Sequence, residues 1–248
     1  MSLKKILKKL AGKKPNKIYS PVEFTRRDTE ILEHIMTSGV TMTSTERMIA
    51  TIQACKYALE CDIEGDFVEC GVWRGGNSIA AKMIFEEYKS DRKVFLFDTF
   101  AGMTEPTAED MTVKDQKSAM AKFLDSDKGD YNDWCYASLE DVQQNFVKAG
   151  LDHNNVSFIK GDVVQTLAEQ ANLPEKIAVL RLDTDWYEST KAEMAVLYPL
   201  LENRGAFIVD DYGHWDGARR AIEEYFDTSE HKRPLMQYTD YTGRMGIK

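Results

Sequence analysis

The stretch Asp66-Phe67-Val68-Glu69-Cys70-Gly71-Val72-Trp73-Arg74-Gly75-Gly76-Asn77-Ser78 decides how this chain folds. A short apolar run passes through a glycine-rich turn and leads into a helical pattern. Glycine lets a backbone turn tightly and approach a ligand closely, although a purely structural turn is the alternative. The start of the helix can receive a carboxylate, and the acid at the strand end can pair with an ammonium group. A ligand with an amino-acid end would therefore fit Glu69, Gly71, Asn77 and Ser78.

Beyond this stretch, short apolar runs alternate with helical patterns towards the C-terminus. The apolar runs predict buried strands over residues 67–70, 94–97, 156–159, 177–182 and 206–209. The helical patterns cover residues 77–89, 138–149, 188–202 and 216–227. Such alternation predicts parallel strands joined by right-handed crossovers, which make an α/β, doubly wound, Rossmann-like sheet. We also expect helices before residue 60 to cover the sheet and an antiparallel hairpin over residues 233–240 and 243–248 to close it.

The composition is typical of a globular protein. Of 248 residues, 43% are hydrophobic and 29% are charged, which favours one domain over residues 21–248. A long acidic insertion at about 101–137 follows the second strand, where loops form lids over a ligand. The four cysteines have no metal-like spacing, which suits a reducing cytosol. A net charge of -9 argues against nonspecific binding of nucleic acid.

The first residues of the chain have a different character from the rest. Residues 1–17 carry seven lysines and no acid, and their apolar residues recur at helical spacing. We therefore expect residues 1–20 to form a basic amphipathic helix. Such a helix can lie on the anionic inner face of a membrane, or it can dock on the acidic body of the protein or on a second subunit. The sequence thus favours a cytoplasmic protein, with peripheral membrane contact and a homo-oligomer as open alternatives.

Acids stand at the ends of most predicted strands. Ligands of doubly wound sheets bind at the carboxyl ends of the strands, so these acids are candidate ligand residues. Asp98 ends the second strand, where an acid suits the two hydroxyls of a ribose. Asp162 follows the third strand and can accept a hydrogen bond from an adenine amino group, or it can be a turn residue after Gly161.

Three further aspartates, Asp183, Asp210 and Asp211, end the fourth and fifth strands. If these strands are neighbours, the three carboxylates converge and repel one another unless a cation neutralises them. Hard oxygen ligands favour Mg²⁺, Mn²⁺ or Ca²⁺ over zinc. The alternative is that these aspartates cap the helices that follow.

A cation at this place gives two nearby residues a chemical role. It can bind two vicinal oxygens of a sugar or a catechol-like diol and lower the pKa of the hydroxyl that attacks. Asp185 lies two residues beyond Asp183 and is the first candidate for the general base. His214, after the fifth strand, is the second candidate.

Together these motifs resemble the macrocin O-methyltransferase family, whose members methylate sugar hydroxyls in antibiotic biosynthesis. The likeness spans about residues 41–226 and rests on the first stretch and three others: Phe97-Asp98-Thr99-Phe100-Ala101-Gly102-Met103, Leu182-Asp183-Thr184-Asp185-Trp186-Tyr187-Glu188-Ser189-Thr190 and Asp210-Asp211-Tyr212-Gly213-His214-Trp215. The resemblance implies a site for S-adenosylmethionine (SAM), a Mg²⁺ bound by three aspartates, and direct methyl transfer to a sugar oxygen.

The resemblance also implies roles for individual residues. Asp183, Asp210 and Asp211 match the family's metal ligands, and Asp185 matches its proposed base. Asp98 matches the ribose ligand, while Glu69 and Gly71 match the turn on the methionine side of SAM. Thr43 and Ser44 belong to a stretch that family members use near the cofactor.

The acceptor does not follow from the resemblance, because the lysine-rich start and the 101–137 insertion depart from the family pattern. A small-molecule glycoside, a nucleotide-linked sugar and a polysaccharide or lipid-linked glycan all fit. Two alternatives to a methyltransferase remain at this point. A nicotinamide-dependent oxidoreductase also has a glycine-rich turn and a distal acid, although the G-x-G-x-x-G spacing is missing here. A binding protein that keeps the fold without catalysis is the other.

Overall fold

The protein is described by a computed structural model over residues 18–248. Seven strands form a single sheet: β1 Asp66–Cys70, β2 Val94–Asp98, β3 Val156–Lys160, β4 Ile177–Leu182, β5 Leu201–Val209, β6 Gln237–Tyr238 and β7 Arg244–Ile247. Their order across the sheet is β3-β2-β1-β4-β5-β7-β6. Strands β1 to β5 are parallel, and β7 runs antiparallel to both β5 and β6. The predicted doubly wound sheet with a C-terminal antiparallel hairpin is therefore confirmed.

Eight α-helices surround this sheet in the described part of the chain. They are α1 Arg26–Thr37, α2 Thr45–Glu60, α3 Gly76–Glu87, α4 Met120–Ser126, α5 Leu139–Lys148, α6 Val163–Thr166, α7 Tyr187–Leu200 and α8 Asp216–Thr228. The helices expected before residue 60 are α1 and α2, and Ser44 is the N-cap of α2. The predicted basic helix over residues 1–20 rests on residues 1–17, which lie outside the described part.

Each face of the sheet has its own apolar core because successive strand residues point to opposite faces. On one face Phe67 and Val179 pack with α1, α2, α3 and α5. On the other face Val68 and Phe207 pack with α6, α7 and α8. Among residues 18–248, no helix is long and apolar enough to span a membrane.

The fifth strand is longer than its apolar run predicts. The helical pattern indicated a helix as far as residue 202, whereas α7 ends at Leu200 and β5 begins at Leu201. Leu201 pairs with Ile177 of β4, so the backbone is already extended there. Tertiary pairing at a central position of the sheet outweighs the local helical pattern in this segment.

The 101–137 insertion is held against the carboxyl edge of the sheet by specific contacts. Asp110, which is buried, accepts a hydrogen bond from the backbone N–H of Tyr187 at 2.8 Å. Trp186 donates its indole N–H to the carbonyl of Thr104 at 3.0 Å. The rings of Trp134, Trp186 and Trp215 pack with centroids 5.0 to 6.0 Å apart. The insertion therefore forms a wall beside the strand ends.

Candidate active site

The main cavity of the protein lies where β1, β2, β4 and β5 end, and its volume is about 480 Å³. Predicted site residues that line it are Thr43, Glu69, Gly71, Asn77, Asp98, Asp183, Asp185, Asp210, Asp211 and His214. A smaller cavity adjoins it and is lined by Asp98, Asp162 and Thr184, among others. The sheet topology thus brings the strand-end acids to one place, as expected for neighbouring parallel strands.

The glycine-rich turn after β1 is fixed by close backbone contacts. Gly71 has a φ of +82°, and a Cβ atom on it would lie 2.0 Å from the carbonyl oxygen of Asp183. Only glycine fits this position. Asp98 holds the same turn, because its Oδ2 accepts from the N–H groups of Val72 and Trp73 at 2.6 and 3.2 Å. Its Oδ1 accepts from the N–H of Phe100 at 2.7 Å, so Asp98 joins the ends of β1 and β2.

Glu69 is buried at the end of β1, and burial raises its pKa to about 7. Its Oε1 accepts from Nη1 of Arg181 at 2.9 Å, and its Oε2 accepts from the hydroxyl of Ser78. Ser78 therefore supports Glu69 from behind rather than lining the main cavity. Asn77 does line it, and the hydroxyl of Thr51 donates to its Oδ1 at 2.9 Å.

Arg181 is a fully buried cation beneath the site, with 1% of its side chain exposed. Besides Glu69, its guanidinium contacts Asp183 at 2.8 Å and also pairs with Asp210. The other oxygen of Asp210 pairs with Arg47. We call Glu69 and Asp210 the arginine-paired group.

The second set of acids, which we call the aspartate cluster, consists of Asp183, Asp185 and Asp211. One carboxylate oxygen from each lies within 4.8 Å of the other two, and the side chains are half-buried because they face the cavity. Burial raises the pKa of Asp185 to about 7. Burial and the neighbouring carboxylates also hold the pKa values of Asp183 and Asp211 well above the ordinary range, although Arg181 opposes this for Asp183.

The aspartate cluster fits a divalent cation. Three carboxylate oxygens at this spacing are hard ligands of the kind that Mg²⁺ and Mn²⁺ take. Two of the predicted ligands, Asp183 and Asp211, belong to the cluster. The third, Asp210, has both oxygens on arginines, and Asp185 stands in the cluster instead.

His214 faces the same cavity from the loop after β5. Its Nδ1 lies 3.2 Å from the hydroxyl of Tyr241. Burial lowers its pKa, and the charges of Lys122 and Arg47 lower it further. His214 is therefore neutral near pH 7 and able to accept a proton.

The remaining predicted residues separate into lining and supporting positions. Thr43 lines the main cavity, and its hydroxyl is buried with no hydrogen-bond partner among the described residues. Such an unpaired polar atom suits a bound ligand. Ser44 instead donates to Oδ2 of Asp240 at 2.6 Å while it caps α2. Asp162 caps α6 by accepting from the N–H of Val164 at 2.9 Å, and it lines the smaller cavity.

Two arginines and part of the insertion wall belong to the site but were not predicted from the sequence. Arg181 had a signal, because it is the one charged residue in an otherwise apolar run of a central strand. Arg47 had none, since its partners Asp210 and Asp240 lie more than 160 positions away. Lys122 stacks over the Trp134 ring at 3.9 Å, and both residues line the cavity from a segment without a recognisable pattern.

The chain is similar to a known protein family and to individual O-methyltransferases. The family model "Macrocin-O-methyltransferase (TylF)" matches residues 1–245. The chain is 34% identical over 181 residues to the 8-demethyl-8-(2,3-dimethoxy-alpha-L-rhamnosyl)-tetracenomycin-C 4'-O-methyltransferase of Streptomyces olivaceus, covering 72% of this chain and 65% of that relative. It is 31% identical over 210 residues to the demethyldecarbamoylnovobiocin O-methyltransferase of Streptomyces niveus, covering 82% and 76%.

Solved structures agree with the fold. The O-methyltransferase NovP superposes with a TM-score of 0.70 at 30% identity, covering 84% of this chain and 81% of NovP. The calicheamicin methyltransferase CalS11 gives a TM-score of 0.58 at 15% identity, which is a likeness of fold alone. The nicotinamide-dependent and non-catalytic alternatives are thereby set aside. The chain belongs to the macrocin O-methyltransferase family and is a SAM-dependent O-methyltransferase.

Proposed function

We propose that the protein methylates a hydroxyl group of a sugar and that it uses Mg²⁺ or Mn²⁺ held at the aspartate cluster. The observation that carries this proposal is the cluster itself: Asp183, Asp185 and Asp211 face the same cavity as the Glu69 turn. A relative named for a rhamnosyl tetracenomycin supports a sugar acceptor, and one named for demethyldecarbamoylnovobiocin supports a small molecule.

The residues on the β1 and β2 side suit SAM. Glu69 can accept a hydrogen bond from the methionine ammonium group, and the turn at Gly71 leaves room for the chain of the ligand. Asp98 stands at the end of β2, where an acid reaches ribose hydroxyls. The unpaired hydroxyl of Thr43 and the side chain of Asn77 give further polar contacts on the same wall.

The residues on the β4 and β5 side suit the cation and the acceptor. When bound, SAM supplies an electrophilic methyl group, and the cation supplies positive charge that lowers the pKa of a nearby hydroxyl. Asp183 and Asp211 would hold the cation, with a third carboxylate from Asp210 or Asp185. Asp185 is the first candidate to accept the hydroxyl proton, because its carboxylate faces the cavity beside Asp183 and Asp211. Neutral His214 is the second.

The wall formed by the insertion would orient the acceptor. Trp134 and Cys135 line the cavity on this side, and Lys122, which stacks over the Trp134 ring, brings a hydrogen-bond donor to the same wall. As part of this proposal, residues 101–137 act as a lid over the site. Residues 21–248, which include this lid, form a single domain. We further propose a cytoplasmic enzyme whose basic residues 1–17 contact the inner face of the membrane or a second copy of the chain.

The test is a titration of the purified protein with S-adenosylhomocysteine (SAH), with and without Mg²⁺, followed by methyl-transfer assays on a panel of glycosides. NAD is the control ligand, and a catechol is the control acceptor. We expect SAH to bind and NAD not to bind, and we expect glycoside methylation that is lost in EDTA and restored by Mg²⁺ or Mn²⁺. Full activity in EDTA would refute the metal site, and methylation of the catechol alone would refute the sugar acceptor.

A further inference from the structure

Arg47 pairs with Asp210 at the edge of the aspartate cluster and also lines the main cavity. We propose that Arg47 competes with the divalent cation for Asp210, and that this competition decides whether Asp210 or Asp185 completes the set of ligands. The inference rests on the metal site proposed above. It makes Arg47 a positioning residue that acts through Asp210.

Asp210 is held on both sides, but only one of its arginines has room to move. Arg181 pairs with Oδ1 of Asp210 and is fixed by Glu69 and Asp183 as well, with 1% of its side chain exposed. Arg47 pairs with Oδ2 and has 15% of its side chain exposed at the cavity wall. Release of Asp210 towards a cation would therefore come from Arg47.

Arg47 has a second carboxylate to hold it after such a release. Its Nε donates to Oδ2 of Asp240 at 3.0 Å. Asp240 is itself fixed, because it accepts from the hydroxyl of Ser44 and from the N–H groups of Thr242 and Gly243 at 2.6, 2.9 and 2.7 Å. The guanidinium can thus turn away from Asp210 and keep a paired charge, which reduces the cost of the change.

The choice between the two aspartates affects the reaction. Asp185 cannot readily act as a base while it is a ligand, because a cation withdraws electron density from the carboxylate it binds. A cation ligated by Asp183, Asp210 and Asp211 would leave Asp185 free to accept a proton. Arg47 therefore opposes the ligand set that frees the base, and a cation that outcompetes it assembles the site.

The test compares Arg47→Gln with Asp240→Asn by titration with Mn²⁺ alone, read by calorimetry and by electron paramagnetic resonance. Both substitutions remove the ion pair between Arg47 of α2 and Asp240 before β7. They differ in charge. Arg47→Gln removes the guanidinium that pairs with Asp210, whereas Asp240→Asn removes the other carboxylate partner of Arg47 and leaves the guanidinium paired with Asp210. We expect Arg47→Gln to bind Mn²⁺ about tenfold more tightly than the wild type and Asp240→Asn to bind it no more tightly.

A purely structural role for Arg47 would weaken Mn²⁺ binding in both variants, and that result would overturn the inference. In an Asp210→Asn background, Arg47→Gln should no longer change the Mn²⁺ affinity, and a persistent tenfold gain there would also overturn it. Arg47→Lys keeps the positive charge and should not bind Mn²⁺ more tightly than the wild type. It is the variant to measure if Arg47→Gln does not fold, and a tenfold gain in Arg47→Lys would contradict the inference. Wild-type protein that binds no Mn²⁺ would overturn the proposed function together with this inference, whereas binding without a gain in Arg47→Gln would overturn the inference alone.

Discussion

The arginine-paired group and the aspartate cluster lie at the same edge of the sheet, yet their charges are balanced in different ways. Glu69 and Asp210 are buried, and each contacts the guanidinium of Arg181. The three aspartates of the cluster are half-buried and share a single contact with that arginine, through Asp183. Arginines therefore balance the first group from within the protein, whereas Asp185 and Asp211 of the second group form no ion pair with an arginine or lysine among residues 18–248.

Removal of the Arg181 guanidinium from the arginine-paired group should have the largest effect on the free energy of unfolding. Arg181→Met leaves Glu69 and Asp210 buried without their shared partner, and breaking a buried ion pair in this way costs about 3–5 kcal/mol. We expect a loss of that size in the free energy of unfolding, measured by urea denaturation in EDTA. Arg26→Met is the control, because the pair of Arg26 with Glu30 is exposed and should contribute less than about 1 kcal/mol. Equal losses in the two variants would mean that Arg181 does not balance these charges.

Removal of a carboxylate from the aspartate cluster should not lower the free energy of unfolding. Burial raises the pKa values in the cluster, and the neighbouring carboxylates raise them further. Asp211→Asn keeps the shape of the side chain and removes one of these carboxylates. We expect the free energy of unfolding in EDTA to be unchanged or higher by about 1 kcal/mol. Methyl transfer should fall about a hundredfold or more because the cation loses a ligand. A marked loss of stability in EDTA would instead place Asp211 among the structural acids.

The sequence predicts which acids lie at the carboxyl ends of the strands and therefore line the cavity. Apolar runs locate the parallel strands, and the sheet then brings together acids that follow them, which is how Asp98, Asp183 and Asp211 come to line one cavity. The partners of these acids are harder to predict. Asp210 follows its strand just as Asp211 does, and only its contacts with Arg47 and Arg181 distinguish the two.

Supporting residues were predicted as ligand residues for a related reason. Ser44 and Ser78 lie in the right motifs, but their hydroxyls bind Asp240 and Glu69 inside the protein. The direction of a side chain within a turn depends on tertiary packing, which local patterns do not encode. The anchors of the insertion wall were unpredictable for the same reason. Asp110 accepts from the N–H of Tyr187, and the carbonyl of Thr104 accepts from the indole of Trp186, so each contact joins residues about 80 positions apart.

Glu193 on α7 shows a third way in which the charge of a buried carboxylate can be removed, namely by binding a proton. It is fully buried, it accepts from the hydroxyl of Thr184 at 2.8 Å, and its Oε2 has no hydrogen-bond partner among the described residues. No ion pair joins it to a lysine or arginine within residues 18–248. Burial raises its pKa from the ordinary 4.5 to about 8, although Thr184 and Cys70 oppose the shift. We therefore expect Glu193 to carry a proton in the folded protein near pH 7.

This neutral carboxyl group should give stability a measurable slope with pH. Between pH 4.5 and about 8 the folded protein keeps the proton on Glu193 whereas the unfolded chain loses it, so stability falls as pH rises through that window. Glu193→Gln carries no titrating group there and keeps an acceptor for Thr184. From pH 6 to pH 7 the wild type should lose up to about 1.4 kcal/mol relative to this variant, measured by urea denaturation at each pH. Parallel pH profiles for the two proteins would mean that Glu193 is ionised in the fold.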